Sequence, residues 1–191
     1  MWGGSELPTL GVSKWKEFYI QKTDTQKGIF SIENCKCNCA ADLEDGEDVF
    51  YIGAKKNDNG VMKKVQLDTS KSTKGNCIVF ICDGEGSVGY TNYQEKDFIG
   101  STTLSAGRCD KLNQYVGLFL VAILDKEKYK FSYGRKYRNH LPKLTIKLPV
   151  KCDVLGNAII NNESPYSDMG YIPDWQFMED YIKVLPYGDR I

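Results

Sequence analysis

The sequence predicts an α+β domain in which antiparallel β structure comes first and helices follow. Three observations carry this. Strand-like runs at residues 28–32, 49–52, 61–67 and 76–82 are separated by Asn-Gly, Asp-Gly and Lys-Gly turn signals. From residue 110 the period changes, and Leu112, Tyr115, Val116, Phe119, Leu120, Ile123 and Leu124 recur at three- and four-residue steps. A last segment places Trp175, Met178, Tyr181, Ile182 and Leu185 on one helical side. Strands grouped before helices argue for an α+β arrangement.

Taken in order, residues 1–13 carry Gly, Ser and Pro and read as a flexible leader. The run "WKEFYI" from Trp15 begins the ordered part, a single domain over residues 14–191 that ends in a short helix. Cys77 and Cys82 lie inside an apolar strand and read as core thiols. Asp110 is placed to cap the first helix, and Asp174, after Pro173, to cap the last. Between them residues 144–150 alternate as a further strand.

The 191 residues balance to a formal net charge of zero, so bulk composition does not advertise a nucleic-acid binder. The charges are nevertheless segregated. Residues 33–48 and the tail from 153 are acidic; residues 55–74 and 126–147 are basic with interleaved tyrosines, and two such stretches can share one face. No window approaches the roughly 20 apolar residues of a membrane helix, and no signal pattern opens the chain. Seven cysteines is an odd count that fits reduced thiols. The expectation is a cytoplasmic protein.

The run "DGEGSVG" places Gly84, Gly86 and Gly89 at the G-x-G-x-x-G spacing of nucleotide loops. A dinucleotide loop needs its third glycine to open a helix whose amides meet the pyrophosphate. Here β-prone Tyr90 to Tyr93 follows, and the chain has no H-R-D, D-F-G or Asn/Asp-Pro-Pro-Tyr segment. A glycine-rich turn that allows positive φ and close backbone approach is the better reading. Cys35, Cys37 and Cys39 would put three thiols on one strand face, but a zinc site wants a fourth ligand and the only histidine, His140, is distant. His140 reads as a solvated loop residue. No catalytic residues, metal or cofactor are expected.

"YIGAKKNDNGV", residues 51–61, joins lysines that can hold phosphates to asparagines whose amides match a base edge, although an ordinary Asn-Gly turn with solvated lysines has the same composition. Arg135, Lys136 and Arg138, among Tyr129, Tyr133 and Tyr137, suit phosphate or groove contact, and equally an anionic protein partner.

Together with "GIF" at 28–30, "GNCIVFICDGEGSVGYTNYQ" at 75–94, "DFIGSTTLSAG" at 97–107, "YGRK" at 133–136, "KLTIKLPV" at 143–150 and "PDWQFMEDYIKVLPY" at 173–187, these residues resemble one family. It is the DNA target-recognition domain of type I restriction-modification specificity subunits and their type IIB and IIG relatives. The resemblance runs in order over nearly the whole chain from Trp15. It implies a twisted antiparallel β portion beside a helical portion, double-stranded DNA as ligand, and no chemistry of its own. Partners implied are a methyltransferase subunit, a restriction subunit in complete systems, and a second copy or second recognition domain. Family members carry two such domains and long helices; one domain here fits a half-subunit, an excised domain or part of a fusion. Under this reading Lys55, Lys56, Lys63, Lys64, Arg135, Lys136 and Arg138 contact backbone. Asn57, Asn59, Ser87, Asn92, Tyr93 and Arg108 are base readers, and Tyr133 joins the interface. The alternatives are an S-adenosylmethionine- or nucleotide-binding enzyme using the loop at 84–89, and a protein-binding domain using the acidic tail.

Overall fold

The computed structural model describes residues 10–84, 86–130, 137–186 and 188. The first helix and the central strand set the architecture. The strand β6 (Cys77–Ile81) is buried at every position. Its alternate side chains enter two cores: Ile78 and Phe80 face the helices, while Cys77, Val79 and Ile81 face a second sheet. That two-sided burial is why the segment reads as a continuous apolar run with no polar alternation.

β6 belongs to an antiparallel sheet of order β2-β9-β6-β7, with β2 at Ser31–Asn34, β7 at Thr91–Gln94 and β9 at Leu104–Arg108. The second sheet has the order β4-β3-β8-β5, with β3 at Asp45–Ile52, β4 at Val61–Val65, β5 at Ser72–Thr73 and β8 at Phe98–Gly100. Its β3 and β8 pair in parallel, whereas the other pairings between the named strands are antiparallel. Ile52, Phe98 and Cys35 meet the first sheet, and Cys37, Leu43, Tyr51, Val65 and Ile99 form a smaller core on the far side. A two-stranded sheet of β1 (Lys16–Tyr19) and β10 (Thr145–Leu148) joins the main core.

Helices α1 (Gln114–Asp125) and α2 (Trp175–Lys183) cover the outer face of the first sheet. The expected α+β arrangement is therefore present. Asp174 caps α2 by accepting from the Phe177 amide. The cap of α1 is Asn113, which accepts from the Val116 amide at 3.0 Å. Asp110, expected there, lies a turn too early and accepts the Tyr166 hydroxyl at 2.5 Å.

The strands β8 and β9 carry no sequence signal of their own. Gly107 lies under Phe30 and Phe80, and a Cβ there would stand 2.8 Å from the Phe80 ring. Small residues fill this strand because aromatic rings close over it. Of the leader expected over residues 1–13, residues 1–9 lie outside the described residues. Leu10 packs on the main core and Val12–Lys14 forms a 3-10 turn.

Candidate nucleic-acid interface

Two turns lie side by side at one edge of the sandwich. The first follows β3, and its Asp58 and Asn59 hold positive φ, 52° and 51°, a conformation Asp and Asn tolerate better than most residues. It is docked onto β7: Asn59 Nδ2 donates to the Tyr93 carbonyl at 3.0 Å, and Gln94 Nε2 donates to the Asn59 carbonyl at 2.7 Å. The second is the glycine-rich turn joining β6 to β7. Gly84, Gly86 and Gly89 have φ of 131°, 72° and 88°. Gly84 meets Ala54 of the first turn so closely that a Cβ would fall 2.7 Å from the Ala54 methyl. The third glycine leads into a strand, so no helix N-terminus faces the loop, and the cofactor-loop geometry is absent among the described residues.

Around these turns the expected DNA-facing residues separate by environment. Lys56 and Asn57 are exposed, and no ion pair engages Lys56 among the described residues. Lys55 pairs with Asp58 at 2.5 Å and reaches the Val61 carbonyl. Lys63 pairs with Asp45 at 2.7 Å and Lys64 with Glu47 at 2.6 Å. As neighbours on β4 these two lysines point to opposite faces, so a single ligand surface takes one of them directly. Such exposed pairs are worth about 0–1 kcal/mol, so a phosphate can displace the carboxylate. Arg108, at the end of β9, binds Glu33 at 2.6 Å and the Lys74 carbonyl at 2.5 Å.

Four expectations need correction. Ser87 and Asn92, expected at base edges, are 8% and 6% exposed. Asn92 faces inward because its Oδ1 accepts from Gln94 in the network that fastens the first turn. Arg138, expected at phosphate, is half-buried and donates to the Thr102 and Leu104 carbonyls at 2.6 and 3.1 Å and to Ser105 Oγ at 3.2 Å. The Cys35, Cys37 and Cys39 thiols do not share a strand face: β2 ends at Asn34, and Cys35 and Cys37 enter different cores. Burial pushes the Cys35 thiol up to about 11 and the Cys77 thiol to about 12, so both are core groups. Among the described residues no group of three His, Cys, Asp or Glu side chains is placed to hold a metal ion. Tyr133, Arg135 and Lys136 lie outside the described residues, and His140 is exposed.

Tyr93 stands between the two roles. Its ring covers Gly117 of α1 and its hydroxyl donates to Asn76 Oδ1 at 2.9 Å, so its aromatic face is spent on packing. Sequence reasoning did not single out Tyr90 and Lys128, which the structure brings together. Lys128 follows α1, lies 4.2 Å from the Tyr90 ring centre and donates to its hydroxyl at 3.0 Å. Its place in the basic stretch of 126–147 was the available signal, but its approach to Tyr90 depends on how α1 crosses β7.

Paired turns at the sheet edge thus bring lysines and asparagines close together. Residues 21–154, more than half the chain, match the type I restriction modification DNA specificity domain. The chain belongs to that family. It is 26% identical over 183 residues to a protein of Heyndrickxia coagulans described as the type II restriction enzyme BgcI specificity subunit S.BcgI, covering 94% of this chain and 46% of the relative. The fold resembles the HsdS subunit from Thermoanaerobacter tengcongensis, with a TM-score of 0.53 and 14% identity over 98% of this chain and 39% of that one. It also resembles the type I restriction-modification S subunit from M. genitalium, with a TM-score of 0.53 and 16% identity over 87% and 40%. The chain thus spans about half the length of the curated relative or less of the solved ones. Among the described residues no helix is long and apolar enough to cross a membrane.

Proposed function

We propose that this chain is one DNA target-recognition domain, residues 14–191, which reads part of a target sequence and positions a partner methyltransferase, and in complete systems a nuclease, without catalysis of its own. The observation that carries the reading is the docking of the turn at 57–60 onto β7 beside the glycine-rich turn, which holds Lys55, Lys56 and Asn57 on one preorganised surface. Rigid turns of this kind place amides at base edges while lysines hold the phosphates that fix register. Asn57 is assigned to base reading, with Asn59 Oδ1 beside it. Lys55, Lys56, Lys63 and Lys64 are assigned to backbone, joined by Arg135 and Lys136 of the segment 131–136.

Selection from randomised double-stranded DNA tests the reading directly. A defined motif is expected, with affinity that falls steeply as salt rises. Equal retention of all sequences would refute sequence recognition. Methyl transfer to DNA by the purified chain alone would refute the division of labour.

A further inference from the structure

Resting on that DNA-recognition reading, we propose that Tyr90, Lys128 and Lys56 form a preorganised seat for one DNA phosphodiester. Three elements converge there: the end of the glycine-rich turn supplies Tyr90, the segment after α1 supplies Lys128, and the turn after β3 supplies Lys56. Both ammonium groups approach the same ring, Lys128 at 4.2 Å and Lys56 at 5.7 Å from its centre. Attraction to the aromatic face orients two side chains that would otherwise sample many rotamers, so less freedom is lost when an anion arrives.

The charge balance points the same way. Asp125, the carboxylate that acts on both Tyr90 and Lys128, is half-buried and its Oδ1 is occupied by the Thr91 amide and hydroxyl, each at 2.9 Å. Asp125 offsets one positive charge, but no ion pair engages Lys56 among the described residues, so the two ammoniums keep a net positive charge that a further anion would balance. The phenol adds a directed donor: its oxygen accepts from Lys128, so its own O–H is left to point elsewhere. The same Lys128 hydrogen bond holds the Tyr90 phenol below its ordinary value and makes it a stronger donor. Two ammoniums and one polarised hydroxyl match the oxygens of a phosphodiester. They offer no paired donor and acceptor with which to read a base.

The test uses the chain with Lys128→Gln, Lys56→Gln and Tyr90→Phe, each checked for unchanged thermal unfolding, against the selected site and a scrambled duplex. Either lysine substitution should lower the slope of log affinity against log salt by about one unit and weaken both duplexes alike. Tyr90→Phe keeps the ring, so it should weaken both duplexes several-fold with the slope unchanged. A scan of single methylphosphonate linkages should find one position that costs the wild type roughly tenfold, the scale of one charged hydrogen bond, and costs Lys128→Gln almost nothing more. If Lys128→Gln keeps the wild-type slope and methylphosphonate profile while the wild type still selects its site, the seat is refuted and DNA recognition stands. If the lysine variants lose discrimination between the duplexes, the group reads bases and the phosphate assignment is overturned. A wild type that binds neither duplex at low salt overturns both.

Discussion

Arg138 shows how a basic residue in a Tyr-rich stretch becomes part of the scaffold. Its guanidinium ties together the turn between β8 and β9 through two carbonyls and a serine hydroxyl. Arg138→Ala should cost about 1.5–3 kcal/mol, the scale of hydrogen bonds to a charged group, read as a lower denaturant midpoint. Its DNA salt slope should match the wild type, and a slope lowered by about one would show a phosphate contact instead. The two asparagines of the first turn divide similarly. Asn57 is exposed and its side chain makes no hydrogen bond among the described residues, whereas Asn59 holds φ of 51° and its side chain donates to the Tyr93 carbonyl. Asn59→Ala should destabilise by about 1–2 kcal/mol, and Asn59→Gly by less, because glycine takes positive φ without strain. Asn57→Ala should leave stability unchanged and cost about 1–3 kcal/mol on the preferred site only, relaxing one base position in a selection. The composition of "KKNDNG" showed that a turn was present; which asparagine is tied to the scaffold depends on a contact with β7, thirty-odd positions away, that no local pattern encodes.

At the scale of elements, α1 was legible because seven apolar residues repeat at helical spacing, and its glycine was not. Gly117 lies under the Tyr93 ring, where a Cβ would stand 2.5 Å from Cδ2. Gly117→Ala gains helix propensity of about 1 kcal/mol but must displace a ring pinned at its hydroxyl. A net loss of about 1–2 kcal/mol is expected from the overpacking, and a raised melting temperature would show that the ring yields. The strands β8 and β9 escaped notice for the same reason: they are defined by what packs over them. At the other end of α1, Asp125 accepts from Thr91 and so ties the helix to β7. Burial raises its carboxyl above the ordinary value, against the lowering effect of those hydrogen bonds. The folded state then binds this proton more tightly than the unfolded chain. The group's contribution to stability therefore falls as pH rises from the ordinary carboxylate value through the raised one, then levels off. Asp125→Asn keeps an oxygen for Thr91 and carries no charge to bury. Its unfolding free energy relative to wild type should increase with pH through that window, and a flat difference across it would show that Asp125 is not buried as a charge.

At the scale of the whole molecule, the helices and the turns proposed to face DNA belong to different elements. Trp175, Met178 and Ile182 of α2 enter the main core, and Glu179 binds Asn113 and Lys183. An acidic, packed helix is a poor groove reader, which supports the proposal that recognition falls to the turns at the sheet edge. A compact chain of this length has a radius of gyration of roughly 16 Å, so one copy spans about one helical turn of DNA. The bases specified by a single copy should therefore form one uninterrupted run within a turn of the duplex. Selection from randomised DNA, at a concentration where sedimentation shows one copy per duplex, measures this. A second specified run, separated by unread bases, should emerge only when two copies sediment on one duplex, with its spacing fixed by how the copies pair. Two separated runs at one copy per duplex would mean that a second surface of this chain also reads bases. The candidate for that surface is Arg108, the last residue of β9, which pairs with Glu33. Arg108→Ala would then erase one run and leave the other.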